Sequence, residues 1–588
     1  MGMKRFLKNR YNIAFVILII LYTVFLSYNL DFTLGWDESR HSCQGHIFYD
    51  YFRTILEGDY MPLNKFVSAY GDKGISPGAG YNIGWYAYFD PPVHAIFQGI
   101  VFLFMGDSVW NARFATHLLI LLLSPLLYLL SSKLLKSRRV GLLATMLYLT
   151  SYMAFFFGRL SFLAVPISLC MVGWYYFLFY KKTRSFAIRI SSSIKFGFQI
   201  NVLVSALFLT AATLMKYQSI IYAGLFIGVY IIYLIVKDIR KRRISHVSDI
   251  FSSLKESGAW SLGWKFAFQL IILFVLSWWW IKMSLYEGGM WKRILFEGAG
   301  REREWNLNFF FEFIKQTFMK TSLLSFLSGA KTSAGGVSVV GIDYIKILAS
   351  TAWFALVPIG IWFMKRKESF ITKNPRLLIY IGTVYVSATL LMSNRQLRYM
   401  IHALPFLFIL IARGIEDVSE FLKRKFKIRY AFYMISIILI GICVYADINI
   451  TKSDTQSFGV YSPELVEYIE KIDNPKMLLN IKGKVEPSET GYYYTPDLFI
   501  FETMMANPQH NPFRMMQSSS FIEWVSIQND YENILEQITS MDNQIDIIII
   551  LFKYDAGDII MVEPVRNNLK KAGYKETELK WYLVFEKE

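Results

Sequence analysis

Charge is scarce in this chain. Asp, Glu, Lys and Arg make up 18% of its 588 residues, against about 25% in a soluble domain, so the chain as a whole is not an ordinary soluble protein. Cysteine is scarcer still: Cys43, Cys170 and Cys443 lie far apart in no metal-like spacing, which implies neither a zinc site nor a disulfide framework. No glycine-rich phosphate loop follows any strand expected in the C-terminal part, which argues against a nucleotide site there. The formal charge of +17 does not point to nucleic acid, because Lys and Arg fall in short clusters between apolar runs, as orientation signals do.

What is present is apolar length. Hydrophobic residues reach 54% and aromatics 17%, and a span needs about 20 apolar residues. Such runs occur near 12–30, 110–132, 140–157, 160–180, 196–214, 218–236, 266–283, 346–364, 377–393, 399–416 and 430–447, about eleven spans in all. The first follows Lys4, Arg5, Lys8 and Arg10 but is long and lacks a small-residue cleavage pattern, so it reads as a retained anchor. The stretch Pro92 to Met105 is short and opens with Pro91-Pro92. If it does not cross, the basic clusters at the N-terminus, Lys133 to Arg139, Lys181 to Arg189, Lys237 to Arg243, Lys365 to Arg376 and Lys423 to Arg429 all fall on the cytoplasmic side. It is therefore expected to lie on the outer face of the membrane as an interfacial or re-entrant helix.

That parity places outside the cytoplasm the first loop (about 31–111), the turns at Arg159 and Lys216, a second long loop (about 284–345), the turn at Arg395 and Arg398, and everything after Asp447. The first loop carries Leu34-Gly-Trp-Asp-Glu-Ser-Arg40 directly after the first span. Carboxylates cost roughly 2.5–3.5 kcal/mol in hydrocarbon, so Asp37 and Glu38 are expected where the chain has just left the bilayer. On their own they read equally as a solvated helix cap. Glu38 to Leu56 has the pattern of an amphipathic helix ending near Gly58, and Gly71 to Gly84 reads as irregular. Arg301 and Arg303 in the second loop suit an anionic ligand, or pair with Glu302 and Glu304 or with lipid head groups. Lys237 to Lys265 reads as an amphipathic inner connector. Residues 451–588 look like a small extracytoplasmic α/β domain, with strands at Met477 to Ile481, Leu498 to Glu502, Asp546 to Phe552 and Trp581 to Glu586, and helices at Tyr531 to Met541 and Val565 to Ala572, the latter closed by Gly573.

An enzyme acting at that face is remote from cytoplasmic nucleotides, so group transfer there calls for a lipid-carried donor, cations for its phosphate and a base for the acceptor hydroxyl. Asp37 is the candidate base and Glu38 the second carboxylate. Arg398, Lys216, Arg159 and Arg40 are candidate phosphate partners. His402, one turn after Arg398, is on the same helix face and suits a ligand role or a buried hydrogen bond. The plainer reading of Lys216 is a lysine snorkelling to the interface.

The order Trp36-Asp-Glu-Ser-Arg40, Tyr88-Phe-Asp-Pro-Pro-Val93, Phe104-Met-Gly-Asp-Ser108 and Ala112-Arg-Phe114 resembles the front of the GT-C glycosyltransferases, most closely the protein O-mannosyltransferase relatives and the lipid A aminoarabinose transferases. Leu214-Met-Lys-Tyr217 is similar to their Leu-Thr-Lys turn, and Leu397-Arg-Tyr-Met400 with Leu404-Pro405 to their Arg-Tyr-Leu and Pro element, which adds Tyr399 to the candidates. The resemblance covers residues 1 to about 450. It implies a GT-C fold: a polytopic α-helical membrane domain with interfacial helices in the first outer loop. It further implies Asp37 as catalytic base, a polyprenyl-phosphate-linked sugar as donor, and inversion at the sugar carbon. No Asp-x-Asp occurs in the chain, so neither a metal nor another cofactor is expected. The expected partners are the lipid-linked donor, the bilayer and an acceptor glycan, lipid or protein, in the cell membrane with the N-terminus cytoplasmic. A transporter or flippase would show repeats and broken helices around a midplane site. A polymerase of lipid-linked oligosaccharides would differ by a long product.

Overall fold

The computed structural model describes residues 9–28, 30, 36–66, 91–181, 185–189, 195–242, 258–286, 374–390, 401–457, 478–481, 547–551, 566–567, 569–571, 573–578 and 582–587. Among these, the long apolar runs form helices: α1 (Arg10–Leu26), α2 (Trp36–Leu56), α3 (Val93–Met105), α4 (Val109–Leu135), α5 (Arg138–Leu149), α6 (Tyr152–Arg159) and α7 (Ala164–Phe179). After a β-hairpin of β1 (Ser185–Arg189) and β2 (Lys195–Gln199) come α8 (Ile200–Thr213), α9 (Gln218–Arg242), α10 (Ala259–Tyr286), α11 (Pro375–Leu390), α12 (Leu404–Phe426) and α13 (Ala431–Ser457). Three of these, over Trp110–Leu135, Gln218–Arg240 and Ala259–Met283, are each long and apolar enough to cross a membrane unaided. Side-chain oxygens start several helices. Asn9 accepts from the Tyr11 N–H at 3.0 Å and Ser108 from the Asn111 N–H at 3.1 Å, satisfying donors a helix start leaves open.

The helices run back and forth between two unlike ends. At one end Arg139 reaches Glu416 at 3.6 Å and lies over the Phe432 ring at 4.1 Å, Tyr11 and Tyr433 share a hydrogen bond of 3.3 Å, and Arg376 covers the rings of Phe179 and Tyr180. The α4–α5 turn and the basic last turn of α12, Lys423 to Lys425, belong to this end. At the other end are the α1–α2 link, the α6–α7 turn at Ser161 and the α8–α9 turn at Lys216. Between the ends, polar side chains close on one another. Trp174 donates to Gln269 at 3.0 Å, Gln269 to Ser205 at 3.0 Å, and Ser205 to the Trp174 carbonyl at 2.9 Å, tying α7, α8 and α10 together. In an apolar medium an unpaired polar group costs several kcal/mol, about the cost this triangle avoids.

α3 does not cross. Its first amide, Val93 N, donates to the Leu214 carbonyl at 2.9 Å, and Asn111 at the start of α4 donates to the Met105 and Gly106 carbonyls at its far end. The helix is thus held along the non-basic end of the bundle, beside α2. The two run parallel with one-turn steps: the His41 and His94 rings are 6.1 Å apart and those of Tyr49 and Phe102 6.4 Å. Gly45 and Gly99 make this approach possible. α2 ends as expected, with Gly58 at φ +92°, a conformation glycine adopts without strain.

Several expectations change. The run 140–157 is two helices, α5 and α6, parted at Thr150-Ser151, whose hydroxyls donate to the Met146 and Tyr148 carbonyls. Such local side-chain bonds compete with the helix ladder. The run 196–214 opens as strand β2, because Lys195 to Gln199 alternates and pairs with β1. The helix expected over 399–416 starts at Leu404 behind a short tight turn and continues to Phe426. The run 346–364 lies outside the described residues, as do Gly71 to Gly84, residues 243–257 of the inner connector, Leu498 to Glu502 and Tyr531 to Met541. In the C-terminal part a four-stranded sheet has the order β3-β4-β6-β5, from β3 (Leu478–Ile481), β4 (Ile547–Leu551), β5 (Tyr574–Glu578) and β6 (Tyr582–Lys587). β3 and β4 are parallel and the other pairs antiparallel. β5, rich in charge as Tyr-Lys-Glu-Thr-Glu, was not expected as a strand.

Replacing a helix-interior glycine with alanine ordinarily gains about 1 kcal/mol in helix propensity. At Gly99 an added Cβ would lie 2.9 Å from both the Phe48 Cβ and the Tyr49 backbone nitrogen. Gly99→Ala is therefore expected to destabilise the purified protein, by about 1–3 kcal/mol, read as a lower Tm in detergent. A raised Tm would contradict the close α2–α3 contact.

Candidate active site

The site is built around one buried ion pair. The guanidinium of Arg113, on α4, donates from Nε to Glu38 Oε1 at 3.0 Å and from Nη2 to Oε2 at 2.9 Å. Its Nη1 donates to the Leu30 carbonyl at 2.5 Å. The Ser161 amide, in the α6–α7 turn, donates to Glu38 Oε1 at 2.7 Å. Both charged side chains are 0% exposed. A two-pronged pairing of this kind is the strong, geometrically specific form of the interaction. Glu38 is neither a solvated cap nor an open carboxylate; it fastens the first turn of α2 to α4 and to the α6–α7 turn. Asp37 is one residue earlier in that turn, as part of α2. The Asp37 and Arg40 side chains lie outside the described residues.

Arg159 performs a similar task on the preceding link. It is fully buried, donates to the Tyr28 carbonyl at 3.0 Å and the Leu26 carbonyl at 3.4 Å, and lies over the Phe155 ring. Trp110 donates to the Ser27 carbonyl at 3.3 Å, and His117 bridges the Ser27 hydroxyl, at 3.0 Å, and the Arg159 carbonyl, at 3.4 Å. The chain leaving α1 is thus gripped before it turns into α2. Asp447, on α13, is a residue sequence reasoning read only as the end of a span. It is 0% exposed, and its oxygens have no hydrogen-bond partner among the described residues. It faces Arg159 and Tyr22 electrostatically. An acid in the last turn of an apolar run was the signal available.

The second half of the site reaches the first through α3. Gln98 donates to the Ser161 hydroxyl at 2.7 Å and to the Ala112 carbonyl at 3.0 Å, and His94 meets Thr116 at 3.0 Å. The start of α3 is hydrogen-bonded to Leu214, two residues before Lys216. Lys216 is half-buried in the α8–α9 turn and acts electrostatically on His402. His402 is 2% exposed, its ring 5.1 Å from that of Tyr222. The structure therefore brings Glu38, Arg159, Lys216 and His402 to one end of the bundle. Arg398, Tyr399, Arg301, Arg303 and Asp90 lie outside the described residues.

α2 also carries an acid–base cluster that sequence reasoning missed. The buried His46 ring lies 3.4 Å from Asp50 and 3.2 Å from Asp107. Burial alone disfavours the charged ring, but the two carboxylates outweigh it and raise its pKa from 6.5 to about 9.

The described helices have a GT-C-like fold. Residues 59–285 match the family model described as dolichyl-phosphate-mannose-protein mannosyltransferase. Among solved structures, the chain is similar to ArnT from Cupriavidus metallidurans bound to undecaprenyl phosphate, at 12% identity and a TM-score of 0.54 over 97% of each chain. It is equally similar to the apo form of that protein, at 13% identity and a TM-score of 0.54 over 97% of each chain. No curated protein matches the chain in sequence. The chain thus shares the fold of ArnT, and its apolar helices support placement in a membrane.

Removing one partner of a buried pair leaves an uncompensated charge, at a cost of about 3–5 kcal/mol. Arg113→Met should lower stability by that amount in chemical denaturation. The double variant Glu38→Gln/Arg113→Met should recover much of that stability; a double variant no more stable than the single would contradict the pairing. Because the pKa of His46 is raised in the folded protein, the stabilisation from its cluster is fully present below pH 6.5 and lost as pH rises through about 9. The wild-type Tm should therefore fall over that interval more steeply than the Tm of His46→Gln, and parallel curves would refute the assignment.

Proposed function

We propose that the protein transfers a sugar from a polyprenyl-phosphate carrier to an acceptor at the non-basic end of the bundle, outside the cytoplasm. The observation that carries this reading is the Arg113–Glu38–Ser161 lock. It fixes the first turn of α2, and Asp37 with it, within a hydrogen-bonded framework that continues through α3 to the Lys216 turn. The basic ends of the helices belong on the cytoplasmic side, which leaves the site on the opposite face. The family match to mannosyltransferases that use dolichyl phosphate supports a lipid-linked donor.

In this reading Asp37 accepts the proton of the acceptor hydroxyl as its oxygen bonds to the anomeric carbon. The carbon–oxygen bond to the phosphate breaks from the opposite side, so the configuration inverts. The polyprenyl phosphate departs with the bonding electrons. Lys216 and Arg398 meet the developing phosphate charge, with Tyr399 and His402 as further candidates. Preplaced cations of this kind stabilise a leaving anion without reorganisation. Glu38 and Arg159 act by position: one holds the base-bearing turn, the other the link that feeds it. Arg40, Arg301 and Arg303 remain candidates for the donor phosphate or another anion. Beyond α13, which runs to Ser457, the rest of 451–588 forms a separate extracytoplasmic domain in this reading.

The test is transfer of labelled sugar from a polyprenyl phosphate to a panel of lipid, glycan and peptide acceptors. Asp37→Asn should reduce transfer by about 10²–10⁴-fold with donor binding retained, whereas Lys216→Met should weaken donor binding. Full turnover by Asp37→Asn would remove the base from the mechanism, and movement of the lipid without a covalent product would favour a flippase. We read the transfer as independent of metal. Chelator should leave the rate unchanged, and loss restored by a divalent ion would overturn that.

A further inference from the structure

Gln98 is a fully buried polar residue on α3, a helix whose buried face also holds Ala95, Gly99, Val101 and Phe102. Its amide nitrogen donates to the Ala112 carbonyl on α4 at 3.0 Å and to the Ser161 hydroxyl in the α6–α7 turn at 2.7 Å. A carboxamide nitrogen has two hydrogens, and both are used. The Ala112 carbonyl can only accept, which fixes the orientation of the amide. On the α2 side, a Cβ added at Gly45 would stand 2.6 Å from Gln98 Oε1 and 2.8 Å from Gln98 Cβ. The amide is thus held between α2, α4 and the α6–α7 turn.

These are the same three elements that the Glu38–Arg113 pair joins, and Ser161 is common to both connections. Its hydroxyl accepts from Gln98, while its own amide donates to Glu38 Oε1 at 2.7 Å. Ala112 and Arg113 are consecutive on α4, so Gln98 holds the carbonyl next to the residue whose guanidinium grips Glu38. The start of α3 is tied separately to the Lys216 turn, where the Val93 amide meets the Leu214 carbonyl. That bond is five residues from Gln98, about 7.5 Å along the helix. A buried amide is costly unless its donors are satisfied. An apolar side chain of similar length would fill the space without that requirement; what Gln98 adds is the pair of bonds.

We propose that Gln98 is a positioning residue for the transfer reaction. Through the Ser161 hydroxyl it sets where the Ser161 amide meets Glu38, and so how the first turn of α2 is held at Asp37. Its effect reaches the reaction only through that turn. A misplacement of about 1 Å in a reacting group can cost about 10²-fold in rate, so a small shift of the α6–α7 turn is enough to matter. The catalytic part of this assignment rests on Asp37 being the base; the ordering of the α2 turn by Gln98 does not. Because the Lys216 turn is tied to α3 by backbone atoms at Val93, loss of the Gln98 amide acts on the rate and leaves the donor's phosphate contacts in place.

The full chain in nanodiscs tests this with two variants. Gln98→Met keeps the length of the side chain and removes both donors, and Ser161→Ala removes the hydroxyl while keeping the amide. Turnover is measured with the sugar donor and acceptor that the transfer assay returns, and donor affinity with bare polyprenyl phosphate. Each variant should lower kcat by about 10–100-fold and leave the Kd for polyprenyl phosphate unchanged. The double variant should be no slower than the slower single, because both changes cut the same bond. Without any ligand, hydrogen–deuterium exchange over the first two turns of α2 should be faster in both variants. Ser205→Ala, in the triangle joining α7, α8 and α10, controls for stability alone: it should lower Tm and leave kcat and that exchange unchanged. Unchanged kcat, unchanged exchange, a weakened Kd or multiplying effects in the double variant would each overturn the assignment. A wild-type protein that transfers no sugar would instead remove the transferase reading, and exchange would then decide the ordering role by itself, upheld if faster and overturned if unchanged.

Discussion

A fully buried pair of opposite charges, Glu38 and Arg113, is the constraint on which the rest of the site depends. Burying either charge alone would cost several kcal/mol, and the pair breaks even only when every remaining donor and acceptor is used. Here it is used closely: one carboxylate oxygen also receives the Ser161 amide, and the guanidinium also reaches the Leu30 carbonyl. The geometry joins the α1–α2 link, the first turn of α2, α4 and the α6–α7 turn in one small volume. None of these segments is free to move without exposing a charge to an apolar surrounding. In the reaction proposed above, such a lock would order the backbone at Asp37, the residue next to Glu38.

The same logic explains the unequal ends of the bundle. At the basic end, cations lie over aromatic rings and pair with Glu416 and Asp417, among them Arg139, Arg376 and Arg413. At the opposite end, arginines are drawn inside, where Arg159 and Arg113 grip backbone carbonyls. The arrangement gives that end of the bundle rigid walls around the α3 start and the Lys216 turn. Asp447, facing Arg159 from α13, places a further acid behind that wall.

Many of the long apolar helices were legible because apolar run length follows bilayer thickness. α3 was legible as a short helix because the apolar stretch from Pro92 to Met105 is briefer than a span. Local competition was not legible. The Thr150-Ser151 break depends on hydroxyls returning to nearby carbonyls, and β2 lies inside a run that is apolar enough to read as the start of a span. The role of Glu38 was hidden for a different reason. Its partner, Arg113, is 75 residues away in sequence, and no spacing rule connects an acid in one loop to an arginine inside a later helix. The cluster of His46 with Asp50 and Asp107 was half visible, since His46 and Asp50 are one turn apart. Asp107 joins them only because α3 folds back beside α2.

The central claim is that the framework around Glu38 and Arg113 organises a site for a lipid-borne phosphate at the non-basic end of the bundle. The most direct measurement is an experimental structure of the protein in a nanodisc with polyprenyl phosphate bound. The account predicts phosphate density beside Lys216, between the start of α3 and the first turn of α2, with the Glu38–Arg113 pair intact. Phosphate bound instead at the basic end, or a Glu38 carboxylate released from Arg113 to meet the ligand, would contradict it.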